Sequence, residues 1–244
     1  TRDIPALPGK INASYAFGGA PLLIQTIEEK TNLQIDHYIE VSFAGFTGIV
    51  DALGGIEVCS KVAIDDPKSH LVLAAGTHTL NGIEALKYVR TRDFDGRGDI
   101  GRMERQQQFV SAVLRKATSS GVLLNPIKLT NFYNAAISSV KMDAGVTKND
   151  LLTLAKQLRN LSSGNVRTLT VPISNPNGRH PTAGSVVIWD EVLAANLWTK
   201  IRNDEALLET VKPTASASAK PVTIDKFKTK TAADNPCAAI DSRA

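Results

Sequence analysis

Residues 88–108 read YVRTRDFDGRGDIGRMERQQQ, and the rest of the chain is organised around them. With Lys87 just before it, the stretch carries six basic residues (Lys87, Arg90, Arg92, Arg97, Arg102, Arg105) against four acidic ones (Asp93, Asp95, Asp99, Glu104). Arg90 and Arg92 are two apart, so on an extended segment they point the same way. Arg102, Arg105 and Gln106 are three and four apart, so on a helix they share a face. The pattern predicts a helix that starts near Asp99, which can cap it, and runs to about Lys116. Its N-terminus then joins arginines to the positive end of the helix dipole, a combination suited to phosphate or pyrophosphate. A solvated, charge-laced helix start is the plain reading of such a segment. Five arginines against one local lysine favour planar, bidentate recognition of oxygen. Gly96, Gly98 and Gly101 let the backbone bend tightly around a ligand.

The chain has 244 residues, enough to bury a full core as one α/β domain with an extra tail. Its net charge of +4 suits an anionic ligand or surface without choosing among them. Aromatic residues make up only 5%, and no basic strand is interleaved with aromatics, which argues against a single-stranded RNA platform. No apolar run approaches 18 residues, so the sequence holds no transmembrane helix, and no signal peptide is legible within it. The abrupt start at Thr1-Arg2-Asp3 reads as a piece of a longer protein. Two cysteines, Cys59 and Cys237, lack metal-site spacing. They read either as two buried thiols or as a disulfide that pins a polar tail outside the cytoplasm.

Residues 1–20 look loop-like, punctuated by Pro5, Pro8, Gly9, Gly18 and Gly19, and Pro21 opens a helix to Thr31. Residues 35–41 alternate as a strand, 43–53 have helical spacing, and 56–59 form a second strand, a rhythm that favours a mixed or parallel sheet. Asp65-Asp66-Pro67 reads as a turn before a strand at 71–73. Asn81 caps a helix over 82–89, which delivers Arg90 and Arg92 at its end. Beyond the arginine-rich bend we expect a turn at 121–126, a helix over 127–139, a strand at 140–143 and a helix from Thr147 to Leu161. A strand over 166–173, a mobile loop over 174–184, a strand at 185–189 and a helix from Asp190 to about Asn203 follow. From Val211 the chain reads as an extended tail.

Four of these segments resemble, in order, motifs of the LytR-CpsA-Psr (LCP) proteins, cell-wall glycopolymer phosphotransferases. They are Thr1-Arg2-Asp3, the KINASYAFGG run from Lys10, the DALGGIEV run from Asp51, and the bend itself, where Tyr88-Val89-Arg90-Thr91-Arg92 and GDIGRMERQQQ from Gly98 resemble the family signature. The match covers most of residues 1–190. It implies a three-layer α-β-α sandwich with a central mixed sheet, as a catalytic domain over 1–210 and a C-terminal tail over 211–244. It also implies an upstream aspartate, further first strands and an N-terminal membrane helix that do not occur in this sequence.

The resemblance implies transfer of a glycopolymer from a polyprenyl-pyrophosphate carrier to a cell-wall acceptor, usually the C6 hydroxyl of peptidoglycan muramic acid, with Mg2+ assisting. Arg90, Arg92 and Arg102 would clamp the pyrophosphate, helped by Arg2, Lys10 and Arg105, with Gln106 donating a hydrogen bond. Arg105 could instead serve a salt bridge. Asp3 is the remaining Mg2+ ligand. Asp99 is the candidate general base, with helix capping as its other role. Cys59 after the DALGGIEV run, with a late cysteine, looks actinobacterial and implies a Cys59–Cys237 disulfide and an extracytoplasmic, membrane-anchored protein. The faces around 22–27, 43–53 and 109–114 could line a lipid cavity. A surface protein as acceptor, a pyrophosphate hydrolase and a non-catalytic glycan binder stay open. A DNA-binding regulator does not fit, because no recognition helix is legible.

Overall fold

The structure is a computed structural model that describes residues 9–119, 130, 134, 140–147, 149–151, 153, 166–211, 222–225, 227–231 and 237. Arg2 and Asp3 lie outside the described residues, as do the turn at 121–126 and most of the helices expected over 127–139 and 147–161. The chain divides into two compact units, Thr1–Tyr38 with Leu169–Thr229, and Ile39–Thr168 with Lys230–Ala244. The divisions fall at 38/39, 168/169 and 229/230.

In the first unit, helix α1 spans Ile11–Thr31 and breaks at Gly19, whose φ of 62° and ψ of −156° are not helical. The second half, opened by Pro21, is the helix expected from the sequence. The first half corrects the loop read over 11–20, where Ala13 and Ala16 are good helix formers outweighed in that reading by the flanking glycines. Strands β8 (Ile173–His180) and β9 (Gly184–Trp189) form an antiparallel hairpin. This overturns the mobile loop expected over 174–184. Pro176 sits in a register shift between Asn175 and Gly178, so its missing N–H breaks no ladder bond.

Helix α5 (Glu191–Arg202) begins where Asp190 accepts a hydrogen bond from the Leu193 N–H at 3.0 Å, as expected. It ties to α1 through Lys30–Glu191 at 3.0 Å and through Arg202, which donates to the carbonyls of Asn32 and Thr31. The rings of Trp189 and Trp198 meet at 5.7 Å with their planes tilted by 57°, and Leu197 is buried. Strands β10 (Glu209–Val211) and β11 (Val222–Ile224) pair antiparallel, so part of the expected tail is a hairpin of this unit.

The second unit holds the candidate site. Strand β1 (Ile39–Val41) pairs with β6 (Val140–Met142). It is shorter than the strand expected from Ile35, whose N–H goes instead to the Glu28 carboxylate at 2.8 Å. Helix α2 (Phe43–Ala52) is capped by Ser42 and packs on α3 (Gly82–Arg90). Asn81 and Glu84 form a capping box at the start of α3, and Asp51 accepts the Gly82 N–H at 2.7 Å. Strand β2 (Ile56–Ser60) pairs along its length with β5 (Gly76–Leu80), and the hairpin β3 (Ile64–Asp66) with β4 (Leu71–Leu73) lies between them. β5 was not read from the sequence because Gly-Thr-His-Thr-Leu has no apolar alternation.

Helix α4 spans Gly98–Ser119. Short strands β7 (Arg167–Thr168) and β12 (Lys230–Thr231) pair antiparallel, and this two-residue ladder is all that forms of the strand expected over 166–173.

The α/β class is as expected. Every ladder among the described residues is two-stranded and antiparallel, where a central mixed sheet was expected. The β2–β5 return through a hairpin, with no crossover helix, accounts for the direction. The core joins Val50, Leu53, Ile56, Val58, Ile64, Leu71, Leu80, Ala85, Tyr88, Phe109 and Ala112. Phe46 and Phe109 meet at 5.1 Å, so the apolar faces of α2 and α4 fill core at this point. Tyr88 is buried, donates to the Cys59 carbonyl at 3.3 Å, and burial pushes its hydroxyl up to about 12.

Cys59 and Cys237 form a disulfide across 178 residues of sequence, and Cys237 is fully buried. No helix among the described residues is long and apolar enough to cross a membrane. Closing so long a loop is worth about 5 kcal/mol in the chain-entropy model. Reduction should therefore lower the thermal midpoint by about ten degrees or more, read by differential scanning calorimetry with and without dithiothreitol. An unchanged midpoint would show that the bridge contributes no stability.

Candidate oxyanion site

Helix α3 ends at Arg90, and the chain turns at once. Thr91 donates its hydroxyl to the Tyr88 carbonyl at 2.8 Å and is buried. The next two N–H groups, of Arg92 and Asp93, point at one oxygen of Asp66 at 2.8 and 3.5 Å. The other Asp66 oxygen accepts from the N–H groups of Lys68 and Ser69 at 2.9 and 3.3 Å. Asp66 is 1% exposed. Burial alone would raise its pKa, but these four backbone donors outweigh burial and hold it below the ordinary value of 3.8. The sequence reading places Asp66 only in a turn, and nothing in Asp65-Asp66-Pro67 signals that it organises a segment 26 residues away.

A second carboxylate, Asp95, holds the other side of the bend. It accepts from the Arg97 N–H and Nε, both at 3.1 Å, and from Arg105 Nη1 at 3.2 Å. Burial would raise the Asp95 pKa, and the Arg97 hydrogen bonds with the charges of Arg105 and Arg97 pull it below the ordinary value. Arg97 also reaches Glu104 at 2.6 Å, and that bond leads in raising the guanidinium pKa against burial. Gly96 and Gly98, at φ 70° and 49°, supply the left-handed backbone of the turn. Gly101 serves another purpose. A Cβ there would lie 3.0 Å from Asp95 Oδ2 and 3.1 Å from Arg105 Nη1, so the ion pair rests against bare backbone.

Arg105 is 4% exposed. It donates to the Thr91 carbonyl and stacks 4.7 Å from the Phe94 ring. Burial draws its pKa below the ordinary arginine value, with Asp95 opposing. This corrects its expected place in the pyrophosphate set. Its salt bridge runs to Asp95, and it holds the two ends of the bend together.

Arg92 and Arg102 do converge. Their Nη2 atoms lie 2.8 and 3.0 Å from the same oxygen, Asp99 Oδ1. That oxygen is buried and makes no well-aligned hydrogen bond despite these contacts. Asp99 lies in the first turn of α4, where the dipole favours its charge. Its side chain serves as counter-ion to the two arginines, which replaces the expected capping role. Arg90 has its guanidinium 5.3 Å from the exposed ring of Phe43. The expectation that Arg90 and Arg92 point alike fails because α3 stays helical through Arg90.

Gln106 Nε2 donates to the Val89 carbonyl at 3.2 Å, tying α4 to the end of α3. Lys10 is exposed just before α1, in the first unit. Among the described residues no group of three or more His, Cys, Asp and Glu could hold a metal ion. Asp95 and Asp99 both face guanidinium groups.

A pair of arginines thus converges at a helix start, on a bend held by the Asp66 and Asp95 carboxylates. The chain belongs to the LytR_cpsA_psr family, whose model matches residues 3–203. It is 40% identical over 193 residues to the probable cell wall biosynthesis protein LcpB of Corynebacterium glutamicum, covering 79% of this chain and 45% of that one. It is 35% identical over 153 residues to the polyisoprenyl-teichoic acid–peptidoglycan teichoic acid transferase TagU of Bacillus cereus, covering 62% of this chain and 47% of that protein. The chain thus spans less than half the length of either relative. The crystal structure of Bacillus subtilis TagV superposes with a TM-score of 0.67 at 26% identity, over 81% of this chain and 75% of that one.

Replacing Asp66 with alanine leaves four backbone donors unpaired and should cost about 3 kcal/mol at pH 7, measured by urea unfolding. Because the folded pKa of Asp66 is depressed, its contribution is present above the unfolded value of 3.8 and is lost as pH falls through the folded value. The gap between wild type and Asp66→Ala should narrow in acid. A gap that stayed constant to about pH 2 would contradict this account.

Proposed function

We propose that this chain is the catalytic region of a phosphotransferase that moves a glycopolymer from a polyprenyl-pyrophosphate carrier to a cell-wall acceptor. The observation that carries the reading is the convergence of Arg92 and Arg102 on one oxygen position. Family membership and the transferase name of a relative support it. In this proposal a phosphate oxygen of the donor takes the position of Asp99 Oδ1. Two guanidinium groups then neutralise the charge that spreads over the phosphoryl oxygens in the transition state. Arg90, with Phe43 beneath it, would meet the carrier where pyrophosphate joins hydrocarbon. Displaced from the arginines, the Asp99 carboxylate becomes available to accept the proton of the attacking hydroxyl.

The bond formed joins the acceptor oxygen to the phosphorus that carries the glycan, and the bond broken releases polyprenyl phosphate. Lys10 and Arg2 complete the proposed anion set. Mg2+, held by Asp3 in this proposal, would add charge neutralisation at the pyrophosphate. The peptidoglycan muramic acid hydroxyl is the proposed acceptor. The proposed setting is outside the cytoplasm, with a membrane anchor supplied from outside residues 1–244.

Transfer from a synthetic polyprenyl-pyrophosphate glycan to peptidoglycan fragments tests the reading. Arg92→Ala and Arg102→Ala should each lower the rate by about a hundredfold or more while leaving the thermal midpoint within a few degrees. Asp99→Asn should lower kcat more than KM if Asp99 takes the proton. Wild-type transfer by either arginine variant would refute the clamp, and wild-type kcat in Asp99→Asn would remove the base.

A further inference from the structure

A cavity of about 160 Å3 lies on the other side of α4 from the arginine pair. Gln107, Gln108, Ser111 and Arg115 contribute to it from α4. At about 100° per residue these positions sit roughly half a turn around the helix from Arg102 and Gln106. The opposite wall comes from Val58, the disulfide-bonded Cys59 and Lys61 at the end of β2. The third wall is the β7–β12 ladder, with Lys230 on it. Lys61, Arg115 and Lys230 give the lining three positive charges, and the residues lining it include no carboxylate. Glu104 approaches Lys230 Nζ from outside the lining, at 3.9 Å, and is already bonded to Arg97 at 2.6 Å.

We propose that this cavity is a second binding subsite, which takes one anionic sugar ring bearing a carboxylate or a phosphate. Lys61 and Lys230 favour negative charge at its mouth. The Gln108 amide and the Ser111 hydroxyl offer both donors and acceptors, the chemistry that ring hydroxyls require. Val58 supplies an apolar patch for the C–H face of a ring. The volume corresponds to about five waters, room for a single ring. The disulfide fixes this site, because Cys59 forms part of the wall and Cys237 follows the strand that carries Lys230. The subsite stands apart from the transfer reading, since none of Arg90, Arg92 and Arg102 lines it.

Isothermal titration with glucuronate, glucose 6-phosphate, glucose and inorganic phosphate tests the proposal on the oxidised protein. Glucuronate and glucose 6-phosphate should bind saturably, and glucose should not. The double variant Lys61→Gln/Lys230→Gln, at two solvent-facing positions, should weaken both anionic sugars about tenfold or more with an unchanged thermal midpoint. Arg102→Ala should leave the affinity unchanged. The proposal fails if neither anionic sugar binds, or if the lysine variant binds as wild type does. It fails equally if Arg102→Ala abolishes binding, which would return the ligand to the clamp. Inorganic phosphate binding as tightly as glucose 6-phosphate, with the same lysine dependence, would overturn the sugar assignment in favour of a bare anion site.

Discussion

The buried pair Arg105–Asp95 is the contact on which the site's geometry depends. A guanidinium at 4% exposure is tolerated because its charge meets a carboxylate and one of its N–H groups meets the Thr91 carbonyl. That same group spans the two ends of the bend, Thr91 at one and helix α4 at the other. Gly101 lies beneath it, and a Cβ there would meet both members of the pair at 3.0 to 3.1 Å, closer than ordinary contact. Asp66 completes the frame from a different hairpin by gathering the N–H groups of Arg92 and Asp93. The exposed ion pairs of the bend are worth little by themselves, so the shape rests on the buried ones.

Within that frame the arginines divide their work. Arg105 and Arg97 hold the backbone, and Arg92 and Arg102 are presented at the surface. The two presented groups share one carboxylate oxygen that is close to both yet aligned with neither. A phosphate, with its oxygens arranged tetrahedrally, can satisfy two planar forks better than one carboxylate oxygen does. In the proposed reading, Asp99 Oδ1 marks the position that a phosphate oxygen takes between the two guanidinium groups.

Much of this was legible in the sequence. Asn81 with Glu84, and Asp190 before α5, announced their helices because local capping chemistry decides those starts. The arginine-rich bend was recognised from residue types and spacing alone. The division of labour was not, because Arg102 and Arg105 are indistinguishable until burial is known. Asp66 was missed for the same reason, since its partners are remote in sequence. Strand β9 was read at 185–189, but β8 escaped because Pro176 and Gly178 read as breakers, whereas a register shift absorbs them. Strand β5 lacked any apolar rhythm and takes its conformation from pairing with β2.

The most direct measurement is a crystal structure of this chain with geranyl pyrophosphate. A phosphate oxygen should lie about 3 Å from the guanidinium groups of both Arg92 and Arg102, with the Asp99 side chain turned away from them and Arg105 still bonded to Asp95. A pyrophosphate bound elsewhere, with Asp99 still bridging Arg92 and Arg102, would contradict the account.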